Sequence, residues 1–310
     1  MNLVRDEVAG DPIHGRCWVR RSLSSLQGAL QEAGHRLGRE TIRRWLGDAK
    51  ISLKGNVKRL TPTAHPQRDT QFTYLQSQRQ AFRLAGWPII SVDAKKKELI
   101  GPFYHAGQLW CEQAPQVYMH DFPTDAAARA VPYGLYDEQH QQGHVYVGLS
   151  ADTAEFAVDA IVDWWRQSGQ ALYPAAPELL LLADGGGSNG YRSRLWKQQL
   201  QSKLADVFDL PVTVCHYPPG ASKWNPIEHR LFSEISKTWA GTLLTSIELM
   251  LACIRNTKTA AGLTVQATLV DKTYDKGITV SDQQMEELAI KYHDTCPNWN
   301  YTLRPRKTGK

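Results

Sequence analysis

The sequence predicts an α/β protein in which helices flank a central mixed sheet, preceded by a small helix-turn-helix domain with or without a wing. Three observations support this fold class. Short apolar segments alternate with segments of helical periodicity from about residue 87 onward. Two of the apolar segments end on an aspartate. Ahead of them, a glycine separates two short helical segments, the second of which is rich in arginine.

Composition is that of an ordinary globular protein. The 310 residues are 42% hydrophobic and 22% charged, which is enough for one large domain and a small one. The sequence contains no run of about 18 apolar residues, the length that a transmembrane helix needs. Its five cysteines are scattered without a CxxC pair, so we expect buried thiols rather than disulfides or structural zinc. We therefore predict a cytoplasmic protein.

Basic charge is concentrated near the amino terminus. Residues 16–60 hold eleven Lys/Arg and three Asp/Glu, whereas the net charge of the whole chain is +5, so the remainder is slightly acidic. A basic block in front of a near-neutral body is typical of a polyanion-binding module attached to another domain. A solvated basic surface would give the same count, so charge alone does not decide between the two.

Within this block, residues 20–48 have the pattern of two short helices. Leucines recur at helical spacing in the first, Gly34 ends it, and the inward positions of the second are Ile42, Trp45 and Leu46. The second helix leaves three arginines outward, where they could contact phosphates or guanine edges in a major groove. These are Arg39, Arg43 and Arg44. A plain helical hairpin is the alternative.

The strands of the larger domain are predicted from β-branched and apolar residues. Residues 61–80 are polar and contain prolines at the front, which predicts a linker that runs into a helix. The first strand, PIISVD, ends on Asp93. Further strands are predicted, in order, around 108–111 and at 144–149, 179–183 and 211–215.

Helices are predicted between these strands. Asp152 begins the capping-box pattern DTAE, so we expect it to cap a helix whose apolar residues recur at one face. A second helix is expected over 192–208, and a third begins at Asn225-Pro226, because proline is favoured at the first helical position. The tail after Asn300 is expected to fray.

Three carboxylates occupy positions suited to metal binding. Asp93 and Asp184 each end an apolar strand, and Glu228 lies in the first turn of the helix begun by NPIE. Sites in open α/β sheets gather beyond the carboxyl ends of strands. Two Mg²⁺ ions about 3.5–4 Å apart suit phosphodiester cleavage, and Mg²⁺ prefers oxygen ligands. Asp93 would bridge both ions, and the other two acids would each complete one. Each acid alone could equally be a turn or cap residue.

Motifs spread over residues 11–301 make the chain similar to one family. They read SVDAKKKELIGPF, HDFP, VPYGLYD, DTAEFAVDAI, ADGGGSNGYRSRLWK, VCHYPPGASKWNPIEHRLFSEIS and NWNYT. With these motifs the chain resembles the Rhodopirellula-type DDE transposases, bacterial insertion-sequence enzymes that are distantly similar to the mariner-like superfamily. HYPPGASKWNPIEH is the most specific of them, since a proline turn followed by NPIE introduces the last acid in mariner-like enzymes.

The resemblance implies an RNase H-like catalytic domain whose acids map onto Asp93, Asp184 and Glu228. It also implies metal-dependent cleavage and joining of DNA strands, with two Mg²⁺ ions for which Mn²⁺ can substitute. The family would continue the first module upstream, which suggests a truncated front. The expected domains are a helix-turn-helix module in 1–65, a linker helix in 66–85, the catalytic domain in 86–262 and a C-terminal extension in 263–310.

Further residues are candidates for DNA contacts. Basic and small polar side chains near the predicted acids could touch phosphates, and two neighbours of Glu228 could orient the acids from behind. The DNA-contact candidates are Lys95, Lys96, Lys97, Ser188, Asn189 and Lys223, and the orienting candidates are Asn225 and His229. For the lysine triplet a solvated hairpin is the alternative, and the glycine-rich loop after Asp184 lacks the spacing of a nucleotide-binding loop.

The expected function is that of a transposase acting on double-stranded DNA. Its partners would be the inverted repeats of an insertion sequence and target DNA, with a homodimer in the DNA complex, in the nucleoid of a bacterial cytoplasm. Two alternatives stay open at this point. One is an RNase H-like nuclease that cuts without joining. The other is an impaired or truncated remnant that only binds DNA.

Overall fold

The chain divides into two compact units, residues 1–60 and 61–310. The structure, a computed structural model, describes residues 8–11, 16–19, 22–52 and 65–306. The expected linker at 61–80 and the carboxyl end therefore lie partly outside the described residues. None of the helices within the described ranges is long and apolar enough to cross a membrane.

The first unit contains the predicted helix-turn-helix, preceded by a strand pair that the sequence did not predict. Strands β1 (Val8–Asp11) and β2 (Arg16–Val19) pair antiparallel. Helices α1 (Leu23–Glu32) and α2 (Arg39–Asp48) pack against each other. Between the helices, Gly34 adopts a left-handed conformation with φ 86°, which favours glycine and lets the chain turn sharply.

The expected inward face of α2 is only partly correct. Ile42 is buried and Leu46 is half-buried, as predicted. Trp45, however, is 54% exposed, so the prediction for this residue is wrong. A unit this small has too few apolar residues to cover a tryptophan on every side, and helical periodicity alone does not report that limit.

The second unit is built on a mixed sheet of nine strands within the described residues. Its strand order is β10-β11-β8-β7-β3-β5-β6-β9, with β4 paired to β5 beside this path. The strands are β3 (Ile89–Ala94), β4 (Glu98–Ile100), β5 (Ala128–Asp137), β6 (Gln142–Gly148), β7 (Leu179–Ala183), β8 (Val212–His216), β9 (Thr264–Val270), β10 (Ile290–Tyr292) and β11 (Asn300–Leu303).

The central five strands have the RNase H-like arrangement. Strands β3, β5 and β6 form an antiparallel meander, and β7 and β8 continue the sheet parallel to β3 on its other side. An α/β fold with a mixed sheet, predicted from the alternation of apolar and helical segments, is therefore confirmed. The parallel strands β3 and β7 lie next to each other, so both of their carboxyl ends reach the same edge.

Helices cover both faces of this sheet. Beside α3 (Arg68–Ala85) and α4 (Ala154–Trp164), later helical segments follow the strands, and several include a π-helical turn. The later segments are Trp165–Gly169 with Gln170–Leu172, Arg194–Leu200 with Gln201–Ala205 and Asp206–Phe208, Glu228–Phe232 with Ser233–Thr238, Ile247–Arg255, and Asp282–Glu286; short 3-10 turns lie at Pro123–Asp125, Gly187–Asn189 and Ser222–Trp224.

Strand β7 shows why the apolar segments form the centre of the sheet. All five of its residues are buried, because helices cover both faces. Leu179 and Leu181 pack in the cluster that contains the apolar side of α4, whereas Leu180 and Leu182 pack in the cluster that contains α3. The successive side chains of a strand point to opposite faces, so a continuous apolar run fills both layers.

Polar bonds fix α3 to the sheet. Gln71 is fully buried and donates through Nε2 to the carbonyl oxygen of His216 at 2.8 Å and to Oδ1 of Asn300 at 2.7 Å. Asn300 returns a bond from Nδ2 to Oε1 of Gln71 at 2.6 Å. Farther along the helix, Arg79 pairs with the buried Glu138 at 2.6 Å. The helix is therefore a fixed layer over β3, β7 and β8.

The segment after residue 262 continues the same sheet. Strand β9 pairs parallel to β6 at one edge, and β11 pairs antiparallel to β8 toward the other. Tyr301 and Leu303 of β11 are completely buried. The expectation that the tail frays after Asn300 is therefore wrong for 300–303, because these residues alternate into a covered layer.

Residues 101–127 form a long connection between β4 and β5 without the strand that was expected around 108–111. Trp110 is wholly exposed, and Cys111, expected to be a buried thiol, is exposed too. The strand that follows β4 lies instead at 128–137. Aromatic residues favour strands only where a pleated surface covers them, and here no neighbouring strand in the described chain does so.

Candidate active site

The register of two parallel strands brings the first two candidate acids to one edge. Val92 of β3 is level with Ala183 of β7, so Asp93 and Asp184 follow at matching positions. The backbone N–H of Ala94 donates to Oδ1 of Asp93 at 2.8 Å, which fixes that carboxylate against its strand. This is the edge at which sites of α/β proteins gather.

A glycine lets the third acid approach. Gly134 of β5 is level with Asp93, and a Cβ atom at this glycine would lie 2.6 Å from the ring of Phe232 and 3.0 Å from Ile227. Ile227 and Phe232 belong to the helix that carries Glu228, and both are buried. The absence of a side chain at Gly134 therefore allows that helix to lie close over the sheet beside Asp93.

Burial and neighbouring charge raise the pKa values of the two aspartates. Burial, and then the charge of Asp184, raise the pKa of Asp93 to about 8, with a smaller contribution from Glu228. Burial also raises the pKa of Asp184, against a hydrogen bond from Asn225, and the charge of Glu228 adds to this increase. Like charges gathered in a partly desolvated place disfavour ionisation. Within the described residues, however, no group of three or more His, Cys, Asp or Glu side chains is close enough together to hold a metal ion.

Asn225 connects the acid-bearing strands. Its side chain is fully buried and donates through Nδ2 to Oδ1 of Asp184 at 3.1 Å and to the carbonyl oxygen of Val92 at 3.3 Å. Its Oδ1 atom is buried and finds no hydrogen-bond partner among the described residues. His229, the other orienting candidate, is exposed and contacts the carbonyl oxygen of Lys223 through Nε2. The two side chains thus act at different places, Asn225 at the acids and His229 on the preceding turn.

Two further residues near Asp93 were missed from the sequence. Asp152 was expected to cap α4, but the cap is Thr153, whose hydroxyl accepts from the N–H of Phe156 at 3.2 Å. Oδ1 of Asp152 is buried without a partner in the described chain, and its charge adds to those that raise the pKa of Asp93. Tyr133 is completely buried, and burial followed by the charges of Asp93 and Asp152 raises the pKa of its hydroxyl.

The pair Asp152-Thr153 contains the signal that would have found this carboxylate. Either residue can cap a helix, and when threonine takes the cap the aspartate one position earlier is left free. Tyr133 gives no such signal, because an apolar strand that contains tyrosine predicts only burial.

The candidates for DNA contacts lie in different surroundings. Lys95 is largely buried and pairs with Glu98, with Nζ 4.8 Å from the ring centroid of Trp239. Lys96 and Lys97 are exposed. Ser188 and Asn189 are buried in the turn after Asp184, where the backbone carbonyl of Asn189 contacts Nε2 of His216 at 2.9 Å. As described, Lys95 and the two turn residues do not offer their side chains to a large ligand.

The remaining basic candidates are exposed. In the first unit, Arg39 and Arg44 extend to solvent, and Arg43 does so while pairing with Glu40 on the same helix at 3.2 Å. In the second unit, Lys223 is exposed two residues before Asn225, the first residue of the Asn-Pro-Ile-Glu segment. These side chains can meet a polyanion without rearrangement of a core.

The donor set at the edge fits a hard divalent cation. Its available atoms are carboxylate oxygens and the unpartnered amide oxygen of Asn225, and Mg²⁺ and Mn²⁺ prefer such ligands. A cation would also offset the mutual repulsion that raises the pKa values of Asp93 and Asp184. Mg²⁺ keeps several waters, so a cluster more open than a closed protein cage suffices.

Comparison with solved structures gives distant likenesses. The Mos1 transposase paired-end complex with the left transposon end is 14% identical over 77% of this chain and 71% of that chain, with a TM-score of 0.40. The Mos1 mariner paired-end complexes with Mn and with Mg are 14% and 15% identical, each with a TM-score of 0.42; they cover 77% and 78% of this chain and 72% of theirs. No curated protein sequence matches the chain.

Comparison with family models gives a match along almost the whole sequence. The matching model is described as the Rhodopirellula transposase DDE domain, and it covers residues 1–305. The family that the motifs indicated is thereby confirmed, and with it the general class of transposase. The chain belongs to the Rhodopirellula transposase DDE domain family.

Proposed function

We propose that this transposase cuts and joins DNA strands at the ends of an insertion sequence, with divalent metal ions held by Asp93, Asp184 and Glu228. One observation carries the proposal. Three acids that are far apart in sequence belong to one edge of the sheet, where burial and then the charges of Asp184 and Glu228 raise the pKa of Asp93, and among the described residues no cationic side chain offsets this rise. Such an arrangement costs stability and is typical of a site that uses its charge.

These three residues would hold two Mg²⁺ ions, or Mn²⁺ in their place, which activate a water or a 3′ hydroxyl as nucleophile and stabilise the leaving oxygen. The protein's own contribution is orientation. The N–H of Ala94 fixes one oxygen of Asp93, and the amide of Asn225 fixes one oxygen of Asp184. Each carboxylate keeps its other oxygen for a ligand. Removal of the nucleophile's proton then needs no further side chain.

Double-stranded DNA is the proposed substrate. The exposed arginines of α2 would contact phosphates or base edges and supply recognition, while the acids of the second unit carry out the chemistry. The inverted repeats and the target DNA would both be bound in a complex that contains two copies of the chain. We place this activity in the nucleoid of a bacterial cytoplasm.

The test is the variant Asp184→Asn on supercoiled plasmid carrying the DNA that flanks the gene. With Mg²⁺ or Mn²⁺ we expect the wild-type chain to nick this plasmid and to join cut ends to target DNA. The variant should lose both activities by at least about 100-fold and keep its affinity for duplex DNA, since the metal-binding carboxylate is a catalytic group.

Glu286→Gln is the matched control, because Glu286 is an exposed carboxylate of the same unit. It should nick and join at wild-type rates. Cleavage that survives Asp184→Asn would exclude the proposed site, and cleavage without joining by the wild-type chain would favour a nuclease.

A further inference from the structure

An exposed tryptophan precedes the asparagine that bonds to one of the acids. Trp224 is 55% exposed, although the next residue, Asn225, is completely buried and bonds to Asp184. Exposure alone assigns no role to a tryptophan, since Trp45 and Trp110 are exposed too. Trp224 differs from them in its position, because it belongs to the turn that delivers Asn225 to Asp184.

The turn that carries Trp224 is fixed on both sides. The N–H of Trp224 donates to the carbonyl of Ala221 at 2.8 Å, and the N–H of Glu228 donates to the carbonyl of Asn225 at 3.1 Å. His229 contacts the carbonyl of Lys223 across the turn. The position of the indole is thus set by the same turn that delivers Asn225 and Glu228.

Helix α3 supports the indole from below. The rings of Phe72 and Trp224 have centroids 6.1 Å apart and meet at 76°, an edge-to-face contact, and Phe72 also approaches Tyr217 at 6.4 Å. Gln71 anchors the helix at the neighbouring position through its buried amide bonds. A supported ring with about half its surface open loses little conformational entropy when a flat ligand stacks on it.

The surroundings of this ring are cationic. Nζ of Lys223 lies 5.3 Å from the centroid of the Trp224 ring, and the guanidinium of Arg68 lies 5.7 Å from that of Phe72. The ammonium of Lys223 is on a flexible stem, so it can leave the ring for a phosphate. An aromatic face with mobile cations beside it is the chemistry that binds single-stranded nucleic acid.

We infer that Trp224 stacks on an unpaired nucleobase next to the cleaved phosphate, with Lys223 on the adjoining phosphate. The inference rests on the proposed function, because that function supplies the DNA strand that the acids would cut. A single base is the occupant that matches the ring, since the exposed indole face is about the size of one base and its neighbours carry positive charge. The stack would keep the strand from returning to the duplex and hold the phosphate near Asp184.

The probes are a duplex with a three-nucleotide 3′ overhang and the same duplex with blunt ends. The affinity of the full chain for each is measured in Ca²⁺, so that cleavage is not measured. Wild-type protein should prefer the overhang. Trp224→Ala should lose about 10-fold in affinity for the overhang and little for the blunt duplex, since base stacking on aromatic residues has roughly this effect. Trp224→Phe should keep part of the preference.

Trp110→Ala is the matched control, because Trp110 is wholly exposed in the 101–127 connection and is expected to leave both affinities unchanged. A 5-iodouracil in the overhang should crosslink to Trp224 on irradiation, which mass spectrometry can locate. Equal affinity of wild-type and Trp224→Ala protein for the overhang, or a crosslink elsewhere, overturns the inference. In that case Asp184-dependent nicking by the wild-type chain would still support the proposed function, whereas its absence would remove both.

Discussion

At Asp93, two unfavourable effects act together. The carboxyl is largely buried, and the neighbouring Asp184 carries the same charge, so both raise its pKa, to about 8. The strand offers one compensating contact, the N–H of Ala94. A carboxyl in such a place lowers the stability of the protein, and we expect the same arrangement to give affinity for a cation.

Asp93→Asn should therefore stabilise the chain in EDTA. At pH 7, below its pKa of about 8, Asp93 is held protonated at a cost in stability. Asparagine keeps the shape of the side chain and does not have to take up a proton, so at this pH we expect a gain of about 1 kcal/mol or more, or roughly 2 °C in Tm. Added Mn²⁺ should raise the Tm of the wild-type protein but not that of the variant. Differential scanning calorimetry measures both, and Asp163→Asn, on α4, serves as the control. A variant that is less stable than wild type in EDTA would contradict this reading of the cluster.

The sequence predicted the candidate acids better than it predicted the residues that surround them. Asp93, Asp184 and Glu228 could be named because an apolar strand or a helix start precedes each of them. Asp152 could not, since its role depends on whether it or Thr153 caps α4, and both satisfy the local pattern. The burial of Ser188 and Asn189 depends equally on distant residues, such as His216, that the glycine-rich loop itself does not specify.

At the scale of elements, the position of the helix that carries Glu228 depends on the strand beneath it. Gly134 lies under Phe232 and Ile227, with no room for a methyl group. Gly134→Ala should therefore push the helix outward, destabilise the chain by about 1–3 kcal/mol and weaken Mn²⁺ binding together with it. Urea unfolding and titration of Mn²⁺ by electron paramagnetic resonance measure the two effects.

The double variant Gly134→Ala/Phe232→Leu is the control for this contact. A smaller side chain at 232 should make room for the added methyl group, so the two substitutions together should cost less than the sum of the single ones. Additive costs, or unchanged Mn²⁺ affinity in Gly134→Ala, would show that Gly134 does not set the distance between the helix and Asp93.

The strands with continuous or nearly continuous apolar sequences could be predicted, whereas β5 and the segment around Trp110 could not. Strand β7 is apolar on both faces, and β3 and β8 are mostly apolar, so their sequences favour a buried strand. Strand β5 contains Pro132 and Gly134, which sequence rules place outside strands. In the structure, the carbonyl oxygen of Pro132 accepts a hydrogen bond from the backbone N–H of Lys95. The helix that carries Glu228 occupies the space that a side chain at position 134 would take. Around Trp110 the composition favours a strand, but no strand of the described residues pairs with this segment. In each case the deciding contact lies far away in the sequence.

At the scale of the whole molecule, the sheet of the second unit extends beyond residue 262, the boundary expected for the catalytic domain. Strands β9 and β11 pair with β6 and β8, and Tyr301 of β11 is completely buried. A fragment of residues 61–262 would leave the partners of these strands unpaired and their apolar surface exposed.

We predict that fragment 61–262 does not fold, whereas fragment 61–310 does. Circular dichroism should show a cooperative thermal transition for the longer fragment and none for the shorter, which we also expect to be cut rapidly in limited proteolysis. The full chain is the reference for the midpoint of unfolding. A cooperative transition of fragment 61–262 at the same midpoint as that of fragment 61–310 would mean that β9, β10 and β11 are not required for the rest of the sheet to fold.

In the proposed function, the first unit recognises DNA and the second carries out the chemistry, and salt dependence can test this division. The exposed arginines of α2 lie in the first unit, and the acids lie in the second. The triple variant Arg39→Ala/Arg43→Ala/Arg44→Ala should lower the slope of log K against log salt for duplex DNA by about 0.9 for each phosphate contact that is lost. Nicking at low salt should persist, because the second unit is unchanged.

Fluorescence anisotropy over a range of KCl concentrations gives the slope, and Arg129→Ala, an exposed arginine of the second unit, is the control for loss of charge elsewhere. We expect the triple variant to lose affinity most strongly for DNA that carries the insertion-sequence ends and the control to keep the wild-type slope. If the three arginines only form the solvated surface of α2 and do not contact DNA, the triple variant will show the wild-type slope and the wild-type preference for those ends. Recognition would then have to come from the second unit, where Lys223 lies against the ring of Trp224 and Arg68 against that of Phe72.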